Sequence, residues 1–350
     1  MIHLLSLART ARGPRAALFV LLVLSFGACS DPGPTNPGDG TRGGADTTAA
    51  PPTGPDPVPG DSAPVPGPDS VLPPPDSTEP TGPPAPTSHV GIPFGPAHMP
   101  PQLFGEFSAT IYTATAPDKL LRDLRVARQA NARLFISFTG NEQFNRDSNG
   151  FSLEKWKQRV DRFRGVDLTS YIDDGTIIGH FIMDEPHDPK NWNGKRVPHA
   201  AIEEIANYSK QLWPSMATMI RAFPGHLEGY QYPHLDATRV QYLDRFSPID
   251  SFITANVQGA KAMGLALVAG LNALNGGSET SGIPGRREGK YAMSADEIRS
   301  WGSRFLSEPY ICAFIVYEYD STYLARPDIR AALSELGEKA RSIPKKECRP

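Results

Sequence analysis

Residues 89–350 of this sequence predict an α/β fold, a (β/α)8 barrel of the TIM type. Three observations lead there. Short apolar runs recur eight times between residues 90 and 317, and amphipathic helical stretches separate most of them. Several runs are almost continuously apolar, as strands covered on both faces tend to be, and strand–helix alternation is the pattern of a parallel sheet. The segment also has the length of one such barrel. A doubly wound open sheet is the alternative.

The strands are read at residues 90–94, 108–113, 134–138, 177–183, 217–221, 251–255, 265–271 and 312–317. A helix at 118–130 puts Leu120, Leu124 and Ala127 on one face. One at 153–163 follows Ser152 as N-cap, and one at 199–212 stops before Pro214. A fourth is read at 236–245, with Asp236 as its cap. The helix at 295–306 opens on a capping box, Ser294 with Glu297, and that at 328–340 starts behind Pro327. Two links fit less well. No clear helix separates the first two strands, and residues 258–264 are too few for one between the sixth and seventh.

The first 88 residues are of another kind. Arg9, Arg12 and Arg15 precede an uncharged apolar run at 16–28. That run is shorter than the roughly 20 apolar residues a bilayer span needs, and it fits a signal peptide. Residues 30–88 hold 18 of the chain's 36 prolines, no aromatic ring, and charges that are mostly Asp. Such a composition buries too little apolar surface to offset the entropy of ordering, which predicts a disordered, extended tether over residues 29–88.

The apolar run ends in Phe26-Gly27-Ala28-Cys29. This resembles the lipobox of bacterial lipoproteins, with Phe26 where that motif usually has Leu. The resemblance implies export and a lipid anchor on Cys29 to a bacterial membrane or cell surface. Cys312 and Cys348 are the two cysteines left, and exported proteins often pair such residues. In a barrel, strand eight begins on the face to which the last helix returns, so a disulfide between them is expected.

Lys and Arg number 35 against 38 Asp and Glu, and no basic block occurs. Nucleic acid is therefore not an expected partner. There is no Gly-x-Ser-x-Gly elbow, phosphate-cradling glycine loop or zinc-type cysteine cluster. No cofactor is expected, and the chain is read as a monomer.

Barrel function gathers at the C-terminal ends of the strands. Asn141 and Glu142 follow strand three. Strand four ends in Asp184-Glu185-Pro186, and its loop carries His187, Asp188 and Trp192. Arg221 ends strand five, Asn256 follows the sixth run, and Asn272 and Asn275 follow the seventh. Tyr317, Glu318, Tyr319 and Asp320 close the eighth. Carboxylates for acid/base work, amides for hydroxyls and aromatic faces for sugar rings together predict a carbohydrate site.

An apolar strand that stops in two adjacent carboxylates is costly without a purpose. Neighbours on a strand point to opposite faces, so Glu185 is read as facing inward with Asp184 in support. Arg221 is expected to pair with a carboxylate, and His180 to be a satisfied interior histidine. Asp184, Glu185, His187 and Asp188 are rich in metal-binding atoms but follow no metal-ligand spacing, so a metal-dependent hydrolase is an alternative only.

With Asp184-Glu185-Pro186 closing strand four, residues 89–350 resemble the (β/α)8 glycoside hydrolases, and also secreted bacterial proteins with a glycosidase-like barrel. In many such enzymes the Glu ending strand four is the general acid/base, which implies that role for Glu185. Retaining members place a nucleophilic Glu at the end of strand seven. Here residues 271–277 read Leu-Asn-Ala-Leu-Asn-Gly-Gly, and Glu279 lies beyond them in a Gly/Ser-rich loop. Glu318 is the better second carboxylate, with Asp320 on its face, unless Glu318 is ion-paired to Arg221. Strands four and eight face each other across a barrel. Carboxyls about 6.5–9.5 Å apart suit inversion, so the expected mechanism is inverting, with Glu185 as acid and Glu318 or Asp320 as base. The competing expectation is a non-catalytic glycan-binding lipoprotein.

Overall fold

The computed structural model describes residues 89–349. The predicted signal segment, Cys29 and the tether lie outside the described residues. Eight strands form one sheet: β1 (Phe94–Pro96), β2 (Ala109–Thr113), β3 (Arg133–Ser137), β4 (Ile177–Asp184), β5 (Thr218–Arg221), β6 (Ala237–Arg239), β7 (Ala266–Ala269) and β8 (Ile311–Val316). Their order is β1-β8-β7-β6-β5-β4-β3-β2, and every ladder is parallel. This is the sequential order of a (β/α)8 barrel.

Helices cover the outside: α1 (Pro117–Gln129), α2 (Leu153–Asp161), α3 (Thr169–Asp173), α4 (His199–Leu212), α5 (Ile249–Ala262), α6 (Ala295–Leu306), α7 (Ser321–Leu324) and α8 (Pro327–Ser342). The expected caps are present. Ser152 accepts from the Lys155 N–H, and Ser294 and Glu297 form a reciprocal capping box. Only short 3-10 turns, Pro101–Leu103 and Pro224–His226, stand where helices after β1 and β5 would be.

The first and last strands in this order meet without a backbone ladder. Side chains join them instead. Ser108 Oγ accepts from the Phe94 N–H at 3.0 Å. Thr110 Oγ donates to the Pro96 carbonyl at 2.7 Å and accepts from the Met99 N–H at 3.1 Å. One backbone bond, His98 N–H to the Ile111 carbonyl at 2.9 Å, adds to them. Gly95 permits the approach, because a Cβ there would stand 2.1 Å from the Ala109 carbonyl oxygen. Below the seam, buried Arg133 donates to the Gly91 carbonyl at 2.9 Å and fastens the entering chain to the bottom face.

Ala97, Ala109, Ile111, Phe135, Met219, Ala237, Val268, Ala313 and Ile315 pack together in the sheet's interior. Two larger apolar clusters fill the space between sheet and helices. Cys312, at the start of β8, is bonded to Cys348 just beyond α8, with Cα atoms 5.3 Å apart. Among the described residues no helix is long and apolar enough to cross a membrane.

Three sequence expectations need correction. The first strand begins where it was expected to end, and Val90 is exposed. The run at 251–255 belongs to α5, whose buried Phe252, Ile253, Asn256, Val257 and Ala260 follow a helical period. The stretch at 236–245, expected as a helix, contains β6 instead. Its inward residues, Ala237, Arg239 and Gln241, are mostly polar, while Val240 and Tyr242 face out into apolar packing. That inverted polarity imitates an amphipathic helix. Asp236 caps nothing there; it accepts from the Thr218 N–H and pairs with Lys210 at 2.5 Å.

The seam gives a direct test. Thr110→Val keeps the shape but leaves a buried carbonyl and N–H without partners, at about 1–3 kcal/mol each. A loss of about 2–4 kcal/mol in urea unfolding is expected, with Thr110→Ser recovering most of it. A loss within error for Thr110→Val would show that the hydroxyl does not close the seam.

Candidate active site

The mouth is built around Arg221, the last residue of β5. Its guanidinium lies between two carboxylates. It binds Asp184 through both Nε and Nη2, the latter at 3.1 Å, and Nη2 also lies 2.9 Å from Glu185 Oε2. Nη1 donates to Gln241 Oε1 at 2.7 Å. The side chains of Arg221 and Glu185 are 13% and 12% exposed, so these contacts are largely shielded from water. Burial disfavours the Arg221 charge, and Asp184 and Glu185 together override that, so it remains cationic.

Strand alternation would send Asp184 and Glu185 to opposite sides. Both reach Arg221, because Glu185 has φ +38°, outside the strand region and rare for a residue with a Cβ. Its backbone is held at both ends. The Glu185 N–H donates to the Arg221 carbonyl at 3.0 Å, and its own carbonyl accepts from the Trp192 indole at 2.9 Å and the Asp188 N–H at 3.0 Å. Asn191 Nδ2 donates to Glu185 Oε2 at 3.2 Å.

Burial raises the Glu185 carboxyl to about 7, with the Asp184 and Asp188 charges adding to it. Arg221 opposes the rise without cancelling it, since Asp184 engages the same guanidinium. Glu142, in the short turn Glu142–Phe144 after β3, is also raised to about 7, by burial first and then by Asp184. Two carboxyls at this mouth are therefore poised near neutrality.

Across the barrel, buried Glu318 and half-buried Asp320 share Arg286, which comes from the loop between β7 and α6. The alternative pairing of Glu318 with Arg221 is thus replaced by one with Arg286. His98 Nε2 stands 3.7 Å from Glu318 Oε2. Asp320 also accepts from the Tyr323 N–H at 2.9 Å as the N-cap of α7. The Tyr317–Glu318 peptide is cis. Burial raises the Tyr317 hydroxyl above its ordinary value, while Tyr319 is half-buried with its N–H on the Ala97 carbonyl at 2.8 Å.

Other expected site residues are placed differently. Trp192 is 1% exposed and edge-on to Phe151, so it positions Glu185 and offers no open face for a sugar. Asn256 sits on α5, donating to the Phe252 carbonyl at 2.8 Å; its place at the mouth depended on the misplaced sixth strand. Asn272 and Asn275 are buried braces: Asn272 Oδ1 accepts from the Asn275 N–H at 3.2 Å, and Asn275 Oδ1 from the Arg287 N–H at 2.9 Å. They support the loop that carries Arg286. Asn141 is exposed and its carbonyl accepts from Asn145 at 3.2 Å.

His180 is interior as expected but satisfied on one side only: Nδ1 lies 2.8 Å from Ser209 Oγ while buried Nε2 has no partner, and burial lowers the ring to about 3, which keeps it neutral. His187 stacks on His226 with ring centres 4.1 Å apart, and Asp188 accepts from the Lys190 N–H at 3.0 Å. Among the described residues no group of three or more His, Cys, Asp or Glu side chains is placed to hold a metal ion.

The residues missed from sequence are His98, Arg239, Gln241 and Arg286. For Arg239 and Gln241 a signal existed: period-two alternation, with Val240 and Tyr242 as the apolar partners. His98 and Arg286 reach Glu318 from 220 and 32 residues earlier in the chain, and no local pattern marks them.

No protein-family model matches this chain, and no curated protein matches it in sequence. Among solved structures it is similar to the glycoside hydrolase domain of PelA from Pseudomonas aeruginosa, at 13% identity over 66% of this chain and 94% of that one, with a TM-score of 0.40. It is similar also to a β-mannanase from Thermomonospora fusca in complex with mannotriose, at 12% identity over 74% and 93% of the two chains and a TM-score of 0.45. A third is an endocellulase from Pyrococcus horikoshii in complex with cellotetraose, at 11% identity over 71% and 92%, with a TM-score of 0.46. The barrel itself is established by the strand order above.

Glu142 yields a stability test with a definite sign. Its folded value, about 7, lies above the ordinary 4.5, so the folded state prefers the proton. Its stabilising contribution is present below pH 4.5 and is lost as pH rises through 7. Glu142→Gln is expected to raise Tm by several degrees at pH 8 and to leave it unchanged at pH 4. Equal shifts at both values would show that the charge is not responsible.

Proposed function

We propose that this chain is an exported glycoside hydrolase that cleaves a poly- or oligosaccharide by carboxylate acid/base chemistry, with inversion. The observation that carries the reading is Glu185: a carboxyl 12% exposed, raised to about 7 and held in an uncommon backbone conformation, at the end of a strand four places round the ring from the one that leads to Glu318. An acid near neutrality is the form a glycosidic leaving group requires.

In this mechanism Glu185 gives its proton to the glycosidic oxygen as the bond to the anomeric carbon breaks. Arg221, 2.9 Å away, then receives the carboxylate that forms. A water on the far side of the ring bonds to the anomeric carbon and gives its proton to Glu318, or to Asp320 beside it. Asp184 takes no proton; it holds Arg221 in place. β4 and β8 are four positions apart in the ring of strands, and this separation supports a water between the carboxyls, hence inversion.

A second reading has its own support. The direct Arg286–Glu318 pair occupies the proposed base, which would suit a mouth that holds a glycan without cutting it.

Localisation belongs to the same proposal. The described chain enters at the bottom face, fastened by Arg133 to Gly91, and Cys348 is tied to the start of β8 on that face. A lipid anchor on Cys29 would hold the domain at a membrane or cell surface, within reach of a substrate too large to enter a cell.

A polysaccharide panel tests the reading. Glu185→Gln is expected to lower turnover by about 10²–10⁴-fold with an unchanged circular dichroism spectrum. Wild-type activity should fall as pH rises through about 7, as Glu185 loses its proton. Proton NMR should show the inverted anomer first. Full activity in Glu185→Gln would remove Glu185 from the mechanism, and a retained anomer would exclude inversion.

A further inference from the structure

The cations at this mouth are not equally provided for. Arg221 has Asp184 and Glu185, and Arg286 has Glu318 and Asp320. Arg239 has no carboxylate partner among the described residues. It is 2% exposed, points into the barrel beside Arg221 in register, and donates from Nη2 to the Ile315 carbonyl at 3.2 Å. Its buried Nε has no acceptor.

Gln241 repeats the pattern two residues on. The backbone remains paired there, since the Val240 and Tyr242 N–H groups donate to the Val268 and Gly270 carbonyls at 2.9 Å. Arg239 and Gln241 therefore project to the same side. Gln241 is 4% exposed and its oxygen is taken by Arg221, which fixes the orientation of its amide. Its buried Nε2 has no acceptor either.

At Gly270, just past β7, a side chain would stand 1.9 Å from the Ile315 oxygen, the acceptor that Arg239 uses. The charges of Arg221, Asp184, Tyr317 and Glu185 all act on Arg239, which sets it among the groups of the mouth. Burial first and the Arg221 charge second lower Arg239 to about 9, as befits a guanidinium without a counter-ion. Buried donors without acceptors are uncommon in folded proteins and call for an occupant.

We infer that Arg239 and Gln241 form a subsite for the carboxylate of an acidic sugar, so that the glycan taken at this mouth contains uronate residues. This deepens the reading of the mouth as a carbohydrate site and rests on it. A carboxylate supplies two acceptor oxygens and the missing negative charge. A neutral hydroxyl supplies an acceptor but leaves the Arg239 charge unbalanced. Arg221 is less suited, because four of its five N–H donors already have acceptors and Asp184 and Glu185 balance its charge.

Matched glycans test this on the whole chain. Calorimetric titration would use oligogalacturonate, oligomannuronate and hyaluronan oligosaccharides, each beside its carboxyl-reduced neutral counterpart, with a sulfated neutral glycan as a further arm. At least one uronate glycan is expected to bind tenfold or more tightly than its reduced form. Arg239→Gln and Gln241→Leu should each remove most of that preference. The wild-type comparison decides the matter alone if either variant fails to fold. Equal affinity for acidic and reduced glycans, preference for the sulfated glycan only, or binding of none overturns the inference. Uronate preference without hydrolysis keeps the subsite and removes the catalytic reading. Hydrolysis of neutral glycans with no uronate preference does the reverse.

Discussion

A guanidinium buried in a barrel mouth has to find acceptors, and the arrangement of Arg221 propagates from that requirement. Asp184 takes it from two sides and Glu185 from a third. For both carboxylates to arrive from adjacent positions, the strand must abandon its alternation at Glu185, and the +38° φ is where it does so. Trp192, Asp188 and Asn191 then hold the displaced residue. The fourth contact fixes Gln241 and so aims its amide hydrogens. One cation on β5 thus orients two carboxyls from the end of β4 and a donor from the extension of β6.

The opposite side of the mouth has a different economy. Strand seven ends without a carboxylate, and its asparagines are spent on the backbone of the following loop. That loop delivers Arg286 to Glu318 and Asp320. The departure from a strand-seven carboxylate is therefore part of how the second acidic pair is held. Asn272 and Asn275, polar and at a strand end, are accordingly buried rather than open to a ligand.

Much of this was legible in the sequence. The carboxylate stop of strand four, the capping box at Ser294 and the cysteines at 312 and 348 all carry local or pairwise signals. The sixth strand, despite its period-two alternation, is read as a helix, for a physical reason. Strand rules assume an apolar interior, yet the upper barrel is where polar groups are needed. Arg239 and Gln241 face in, Val240 and Tyr242 face out, and the stretch reads as a helix. The same inversion hid the mouth's least satisfied donors. Conversely, the β-branched and aromatic run at 251–255 looked like a strand because its helical period shows only over the longer span from Phe252 to Ala260. The partners of Glu318 were beyond reach, since His98 and Arg286 meet it only through tertiary structure.

The seam between β1 and β2 has a consequence for how the fold tolerates change. A backbone ladder is indifferent to the side chains it joins; seven of the eight joints in this ring have that freedom. The eighth is written in hydroxyls at Ser108 and Thr110 and in the absence of a side chain at Gly95. Substitution is therefore constrained most sharply at a place remote from Arg221 and Arg239. A mutational map of this domain would show two separate islands of intolerance: one at the mouth set by charge, and one along the seam set by the size and bonding of three small residues.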